Sequence, residues 1–253
     1  MPDLGGAAST RYYADNERRL FTEHFTPLEG LTILKTDLWD EAKNTRILAW
    51  ASRQGARAYG IDISEPIVIQ AHAAFDTGPD ARHRRHRLRG AVGDVRDLPF
   101  RDASFDAIYS MGTIEHFDET ERAIEEMARV LKPGGRAIIG VPNRYDPFLR
   151  PLLATVLQAL GLYGYGYEKS YSRRALRQML ERAGLNVVAD TAILFMPGWL
   201  RMLDLACHSW CRPLAVVTGA LVRPFVFLDR HVPAVRRHGY LLATVVIKPD
   251  RAR

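Results

Sequence analysis

Two short stretches of this 253-residue chain concentrate side chains able to do chemistry. The first, Lys35-Thr36-Asp37-Leu38-Trp39-Asp40-Glu41-Ala42-Lys43-Asn44-Thr45, is crowded with charged and capping groups and contains no glycine. Three uses compete for it. Lys35 or Arg46 can pair with a ligand carboxylate while Asp37 holds an ammonium. Asp37, Asp40 and Glu41 can instead offer oxygen ligands to a hard divalent cation. In the third the site is degenerate and the chain is a scaffold; the plainest reading of Asp40 and Glu41 needs no ligand either, because acids at a helix N-terminus oppose the positive end of its dipole. The second stretch is Glu115-His116. Imidazole titrates near neutral pH, so His116 is the candidate general base, against the plainer reading of a helix-start histidine bonded to backbone. Asp62 and Asp94 are carboxylates that can each accept two donors, or ordinary strand-end and turn acids.

These residues need a frame, and the pattern of the chain supplies one. Apolar runs alternate with amphipathic segments from about residue 31. Strands are expected at Leu31–Leu34, Ala56–Asp62, Leu88–Val92, Phe105–Ser110, Arg136–Val141, from Leu185 and over Gly239–Lys248. Helices are expected over Asp40–Gln54, Pro66–Phe75, from Phe117 to Leu131, and from a Ser172 cap to about Ala183. Lys132-Pro133-Gly134-Gly135 should stop the third of these. Such alternation implies a mostly parallel, doubly wound α/β sheet with helices on both faces. Ligands of such sheets bind at the carboxyl ends of the strands, where Lys35, Asp62, Asp94 and His116 should gather.

Composition excludes more than it selects. Hydrophobic residues at 47% and charged residues at 25% are ordinary for a globular chain able to bury a core. A formal charge of +6 hints at acidic partners. Part of that excess is the run Arg82-His83-Arg84-Arg85-His86-Arg87-Leu88-Arg89, read most simply as a solvated loop. Two cysteines, Cys207 and Cys211, show neither zinc spacing nor a disulfide framework, so a cytoplasmic setting is expected. No signal peptide and no membrane-spanning run is read.

Between Gly60 and Pro142 the chain resembles class I S-adenosylmethionine-dependent methyltransferases, in the small-molecule branch that includes the quinone methylases. Gly60-Ile61-Asp62-Ile63-Ser64 resembles the end of that family's second strand. Gly93-Asp94-Val95-Arg96-Asp97-Leu98-Pro99-Phe100 is similar to its adenine loop, Ser104–Met111 to its fourth strand, and Arg129–Gly135 to its entry into strand five. The resemblance implies a Rossmann-like seven-stranded sheet and S-adenosylmethionine as cofactor. It implies that Asp62 accepts from both ribose hydroxyls, that Asp94 accepts from the adenine amine, and that Val95 offers its backbone. Ile63 and Met111 complete the expected cofactor set with Lys35, Thr36 and Asp37. Relatives place an acid three residues before Glu-His that helps hold a metal. Gly112 stands there in this chain, so no metal is expected.

The departure is the first loop. The family's glycine-rich turn lets backbone approach the methionine part of the cofactor closely. Here the Lys35–Thr45 stretch replaces it, and Trp39 cannot sit where that glycine backbone touches ligand.

The domain layout expected is an N-terminal helical segment (1–30), an α/β domain (31–193 and 239–249), and insertions at 144–171 and 194–238 forming a cap or an acceptor- or membrane-facing region. In the first insertion, Tyr163, Tyr165, Tyr167 and Tyr171 either line an acceptor pocket or pack a loop. In the second, Trp199, Met202, Leu203, Ala206 and Trp210 make an apolar stripe whose default is core packing. The alternative is a helix on a membrane surface, with Arg201, Arg212 and Arg223 meeting anionic head groups. The reading is a methyltransferase acting on a small, lipid-like or aromatic acceptor. A non-catalytic assembly protein at a membrane is the rival. RNA methylation comes third, for want of a nucleic-acid module.

Overall fold

The alternation resolves into one sheet of seven strands, seen in a computed structural model that describes residues 3–76, 87–161 and 167–250. The strands are β1 (Thr32–Lys35), β2 (Arg57–Asp62), β3 (Arg89–Val92), β4 (Phe105–Met111), β5 (Leu131–Pro142), β6 (Asn186–Ile193) and β7 (Leu241–Ile247). Their order is β3-β2-β1-β4-β5-β7-β6. Neighbours from β3 through β5 are parallel, and β7 lies antiparallel between β5 and β6. Helices are α1 (Ala8–His24), α2 (Trp39–Lys43), α3 (Ile47–Arg53), α4 (Glu65–Asp76), α5 (Thr120–Val130), α6 (Arg150–Ala159), α7 (Arg173–Arg182), α8 (Gly198–Trp210) and α9 (Arg212–His231). The basic run at 82–86 and Tyr163 and Tyr165 fall outside the described residues.

Successive strand residues point to opposite faces, and the sheet accordingly separates two cores. Tyr109 joins Leu20, Phe21, Leu38 and Leu48 on the side of α1 to α4. Its neighbour Ile108 joins Ile124, Met127, Leu176 and Leu180 on the side of α5 and α7. Both faces of β4 are buried, which is why it reads as an unbroken apolar run. The chain leaves β1 toward β2 on one side and β4 lies on the other, so the crevice at their carboxyl ends is the switch point of the sheet.

Three elements differ from expectation. The helix expected over 40–54 is two short helices, because Asn44 turns away from helical geometry and Arg46 adopts φ 56°. The Asn44 amide explains the break, donating to Asp40 Oδ1 at 2.6 Å while its carbonyl accepts from the Thr10 hydroxyl at 2.7 Å. Helix α5 starts and ends inside the expected span, with Phe117 ahead of it and Leu131 already in β5. Ser172 caps α7 as its sequence suggested, its Oγ accepting from the Ala175 amide at 3.2 Å.

The third difference is the orientation of α8. The stripe Trp199, Met202, Leu203, Ala206 and Trp210 faces outward, with Trp199 54% and Trp210 88% exposed. Core packing, the default for that stripe, is thereby corrected. The opposite face, with Leu200, Arg201, Asp204 and Leu205, is the buried one. Its charges are matched: Asp204 accepts from the Ser9 amide at 2.7 Å and the Thr218 hydroxyl at 2.8 Å, and Arg201 donates to the Ser9 carbonyl and lies over the Tyr13 ring. Satisfied polar groups can be buried at little cost, and they turn the apolar stripe to the surface. Leaving the carboxyl end of the sheet, α8 and α9 fold back against α1, which Asn16 and Arg19 tie to Asp229.

Candidate active site

A strand end needs donors or acceptors that the ladder does not consume, and Asp62 supplies them at the end of β2. Its Oδ2 accepts from the Leu38 amide at 3.0 Å and its Oδ1 from the Ser64 amide at 2.8 Å. One donor per oxygen leaves a lone pair on each, a matched acceptor pair for a vicinal diol. Ile63 beside it is 72% exposed, an unpartnered apolar face at the same crevice.

The loop after β1 closes without glycine because carboxylates do the turning. Asp37 Oδ1 accepts from the Trp39 amide at 2.9 Å, an Asx turn that starts α2 directly, and Asp62 takes the preceding amide. Leu38 is wholly buried over Gly60, where an added Cβ would come within 2.4 Å of its side chain. The glycine in β2 thus makes room for the residue that replaces the loop glycine. Thr36 Oγ1 donates to Ser110 Oγ at 2.8 Å and lies 3.2 Å from Thr113 Oγ1, joining the ends of β1 and β4.

Lys35 departs from its expected place. It was read as standing at the crevice mouth to meet a ligand carboxylate. Instead it is 1% exposed, and its ammonium donates to the Asp37 carbonyl at 2.6 Å, with Asp37 Oδ1 at 3.6 Å and Asp40 Oδ2 at 3.9 Å. The ammonium sits among the carboxylates that the metal reading would have given to a divalent cation. Burial alone would lower its pKa, but Asp37, Asp40, Glu41 and Glu17 together outweigh that and raise it. Glu41 caps the next helix, accepting from the Leu48 amide at 2.9 Å and the Ala49 amide at 3.4 Å at the start of α3. Burial pushes its carboxyl up to about 6. The free Arg46 expected as an alternative is paired with Asp3 at 2.9 Å.

Beneath this loop lies a polar core that sequence reasoning missed. Glu17 on α1 is fully buried and accepts from the Tyr109 hydroxyl at 2.8 Å, while Tyr13 donates to Asp40 at 3.3 Å. Burial first, then the Asp40 charge, pushes Glu17 up to about 8. The signal was present: Glu17 falls four residues after Tyr13 and three before Leu20, on the face α1 buries.

Asp94 was expected to accept from an adenine amine. Its carboxylate instead grips Arg96: Oδ1 accepts the Arg96 amide at 2.8 Å, and the guanidinium donates to both oxygens at 2.6 to 3.0 Å. That pairing holds its pKa below the usual carboxylate range. An amine would have to displace a guanidinium to reach it. Val95 and Met111 are buried, the latter packed against Gly140.

His116 is exposed at the end of a 3-10 turn after β4, and its Nδ1 lies 2.8 Å from the Tyr167 carbonyl. In that contact Nδ1 donates, and Nε2 has no hydrogen-bond partner among the described residues. Glu115 is 2% exposed, with one buried oxygen lacking a hydrogen-bond partner among the described residues. Burial pushes its carboxyl well above the usual range, and the charge of Glu168 adds to it. Glu168 is held by Arg150 of α6 at 2.6 Å, and the next residue's amide, Lys169, donates to the Glu115 carbonyl at 3.0 Å, so the segment after α6 lies against the turn that follows β4. Tyr171 donates to or accepts from Thr120 at 2.9 Å, a packing role for one of the four tyrosines.

The site is thus a switch-point crevice with a half-buried carboxylate at the end of β2. Residues 42–139 match a family described as "Methyltransferase domain". A relative in Mycolicibacterium smegmatis, named as a probable S-adenosylmethionine-dependent methyltransferase, is 30% identical over 148 residues, 58% of this chain and 50% of that protein. Chloroplastic tocopherol O-methyltransferase of Arabidopsis thaliana is 38% identical over 89 residues, 35% of this chain and 24% of that protein. The chain therefore spans half or less of the length of these two relatives. A solved S-adenosylmethionine-dependent methyltransferase from Mesorhizobium loti superposes with TM-score 0.61 at 18% identity, covering 96% of this chain and 99% of that one. The last likeness is one of fold. The chain carries a class I S-adenosylmethionine-dependent methyltransferase domain, and S-adenosylmethionine is the cofactor of that class.

Proposed function

We propose that the chain transfers a methyl group from S-adenosylmethionine to a small acceptor of lipid-like or aromatic character. The observation that carries the reading is Asp62, which keeps one unused lone pair on each carboxylate oxygen at the switch point. Those atoms suit the two ribose hydroxyls, exposed Ile63 suits a face of the adenine, and Asp37 and Thr113 are the groups assigned to the methionine end. When bound, the cofactor supplies an electrophilic methyl on a sulfonium. The chain aligns the acceptor against it and excludes water, the main contributions open to an enzyme in such a displacement. His116 Nε2 is the atom assigned to take the acceptor's proton. Tyr167 orients that ring through its carbonyl, and the α6 segment shapes the acceptor side.

The acceptor class rests on the outward apolar stripe of α8 and on exposed Leu149, Leu152 and Leu160 around α6, a surface suited to a bilayer or to an apolar acceptor. Among the described residues no helix is long and apolar enough to cross a membrane, so the contact proposed is peripheral. That same stripe favours the second reading, a non-catalytic assembly protein at a membrane surface. Titration calorimetry with S-adenosylmethionine separates the two. Saturable binding is expected, and its absence at millimolar ligand removes the enzyme. Given binding, His116→Asn should leave affinity for the cofactor unchanged and lower kcat by roughly 10²- to 10⁴-fold, the usual worth of a positioned base. An unchanged kcat would assign His116 to the helix start alone.

A further inference from the structure

Away from the crevice, a cleft of about 1450 Å³ opens between α1, α3 and α9. Asp37, Asp62, Ile63, Thr113 and His116 do not line it. Its described lining carries seven arginines and two histidines against two aspartates. The acids are already spoken for: Asp3 pairs with Arg46 at 2.9 Å, and Asp15 with Arg230 at 3.1 Å and Arg18 at 3.7 Å. Arg212 and Arg223 are exposed and make no ion pair with any described residue. Eleven residues apart on α9, they fall on one face of that helix, three turns from each other. Between them Val216 and Val222 line the same wall, and Phe75 of α4 faces them.

Charge and shape point to one kind of occupant. An excess of guanidiniums over carboxylates selects an anion, and guanidinium matches phosphate in fork geometry. The apolar floor selects a hydrocarbon portion, which a nucleic-acid backbone lacks. The volume exceeds the roughly 300–1,000 Å³ of ordinary metabolite sites, leaving room for a chain as well as a headgroup. The outer wall also continues onto exposed Val217, Leu221 and Phe227, so a chain can enter from an apolar surface.

We propose that this cleft binds a phosphate-bearing amphiphile, its headgroup held in the field of the α9 arginines, which stand about 16 Å apart along the helix, and its hydrocarbon along Val216, Val222 and Phe75. The assignment goes beyond the methyl-transfer reading and does not depend on it. Two sources share this chemistry, an acidic phospholipid in a bilayer and a free phosphorylated amphiphile.

Calorimetric titration with short-chain phosphatidic acid, kept below its micelle concentration, reads the cleft directly. Short-chain phosphatidylcholine and inorganic phosphate serve as comparisons. Saturable binding of the phosphatidic acid is expected, tighter than either. The R212E/R223E variant should weaken it by about fivefold or more per arginine, from the usual worth of one basic side chain at an anionic lipid. The R101E/R174E variant makes the same charge change at exposed sites away from the cleft and should bind as wild type. Flotation with phosphatidylcholine vesicles, with and without phosphatidic acid, then identifies the source. Capture by the acidic vesicles supports a bilayer lipid, and binding confined to the short-chain form supports a free amphiphile. Equal losses in the two variants, or inorganic phosphate binding as tightly as the amphiphile, would overturn the assignment. So would no binding at all. Both variants should retain the wild-type response to S-adenosylmethionine, which keeps this outcome apart from that of methyl transfer.

Discussion

Lys35→Met is expected to destabilise the fold by about 3–5 kcal/mol, the usual cost of removing one partner from a buried charge pair. Few single substitutions should cost more. Methionine matches the lysine stem in length, so the loss is electrostatic and not a packing void. With the ammonium gone, Asp37, Asp40, Glu41 and Glu17 face one another beneath β1 with no cation among them. Urea unfolding of the two proteins measures the difference, and a change below about 1 kcal/mol would place the ammonium outside the balance.

The same cluster makes stability depend on pH in a stated direction. Glu17 has a folded pKa of about 8 against 4.5 when unfolded. A raised carboxyl pKa means the folded state holds the proton more tightly than the unfolded one. Its stabilising contribution is complete below the unfolded value and is lost as pH rises through the folded one. Glu41, raised to about 6, acts in the same sense lower in the range. Stability should therefore fall between about pH 5 and pH 8. Glu17→Gln keeps an acceptor for the Tyr109 hydroxyl and removes the titration, so its curve should be flatter at the upper end. A wild-type protein equally stable across that range would refute the buried carboxyl.

The second large effect falls on the cofactor. Asp62→Ala should weaken S-adenosylmethionine by at least about a hundredfold, since two hydrogen bonds to a charged acceptor are worth roughly 1.5–3 kcal/mol each. Asp62 also anchors the Leu38 and Ser64 amides, so part of the loss comes through the loop. Asp62→Asn separates these contributions. Its single carbonyl oxygen serves one amide or one hydroxyl well, and an intermediate affinity is expected. Calorimetry gives the affinities, and an unchanged value for Asp62→Ala would move the ribose elsewhere.

Much of the frame could be read in the residues, and the reasons are physical. Strand β4 is buried on both faces, β5 is so from Ala137 on, and β2 is buried or half-buried beyond Arg57, so apolar runs mark them whatever surrounds them. Asp62 was legible because it ends such a run. Lys35 was misplaced because its position in the chain says where its Cα lies and nothing of what is packed beneath it. Its partner Glu17 lies on α1, before the sheet begins, and only the folded topology brings them together. Helix α8 failed for the same reason. Its periodicity correctly showed two faces, but the choice of buried face was made by Ser9, Tyr13 and Thr218, distant in sequence, which satisfy Arg201 and Asp204.

The glycine-free turn after β1 has a consequence for timing. A glycine turn is loose in the free protein and gains order from its ligand, so part of the binding energy goes into stilling it. Here Asp37 and Asp62 hold the turn, and Leu38 is locked against Gly60. The wall that receives a ligand is already set. Association should then proceed in a single kinetic phase whose rate rises linearly with ligand concentration, with no slower loop-closing step behind it.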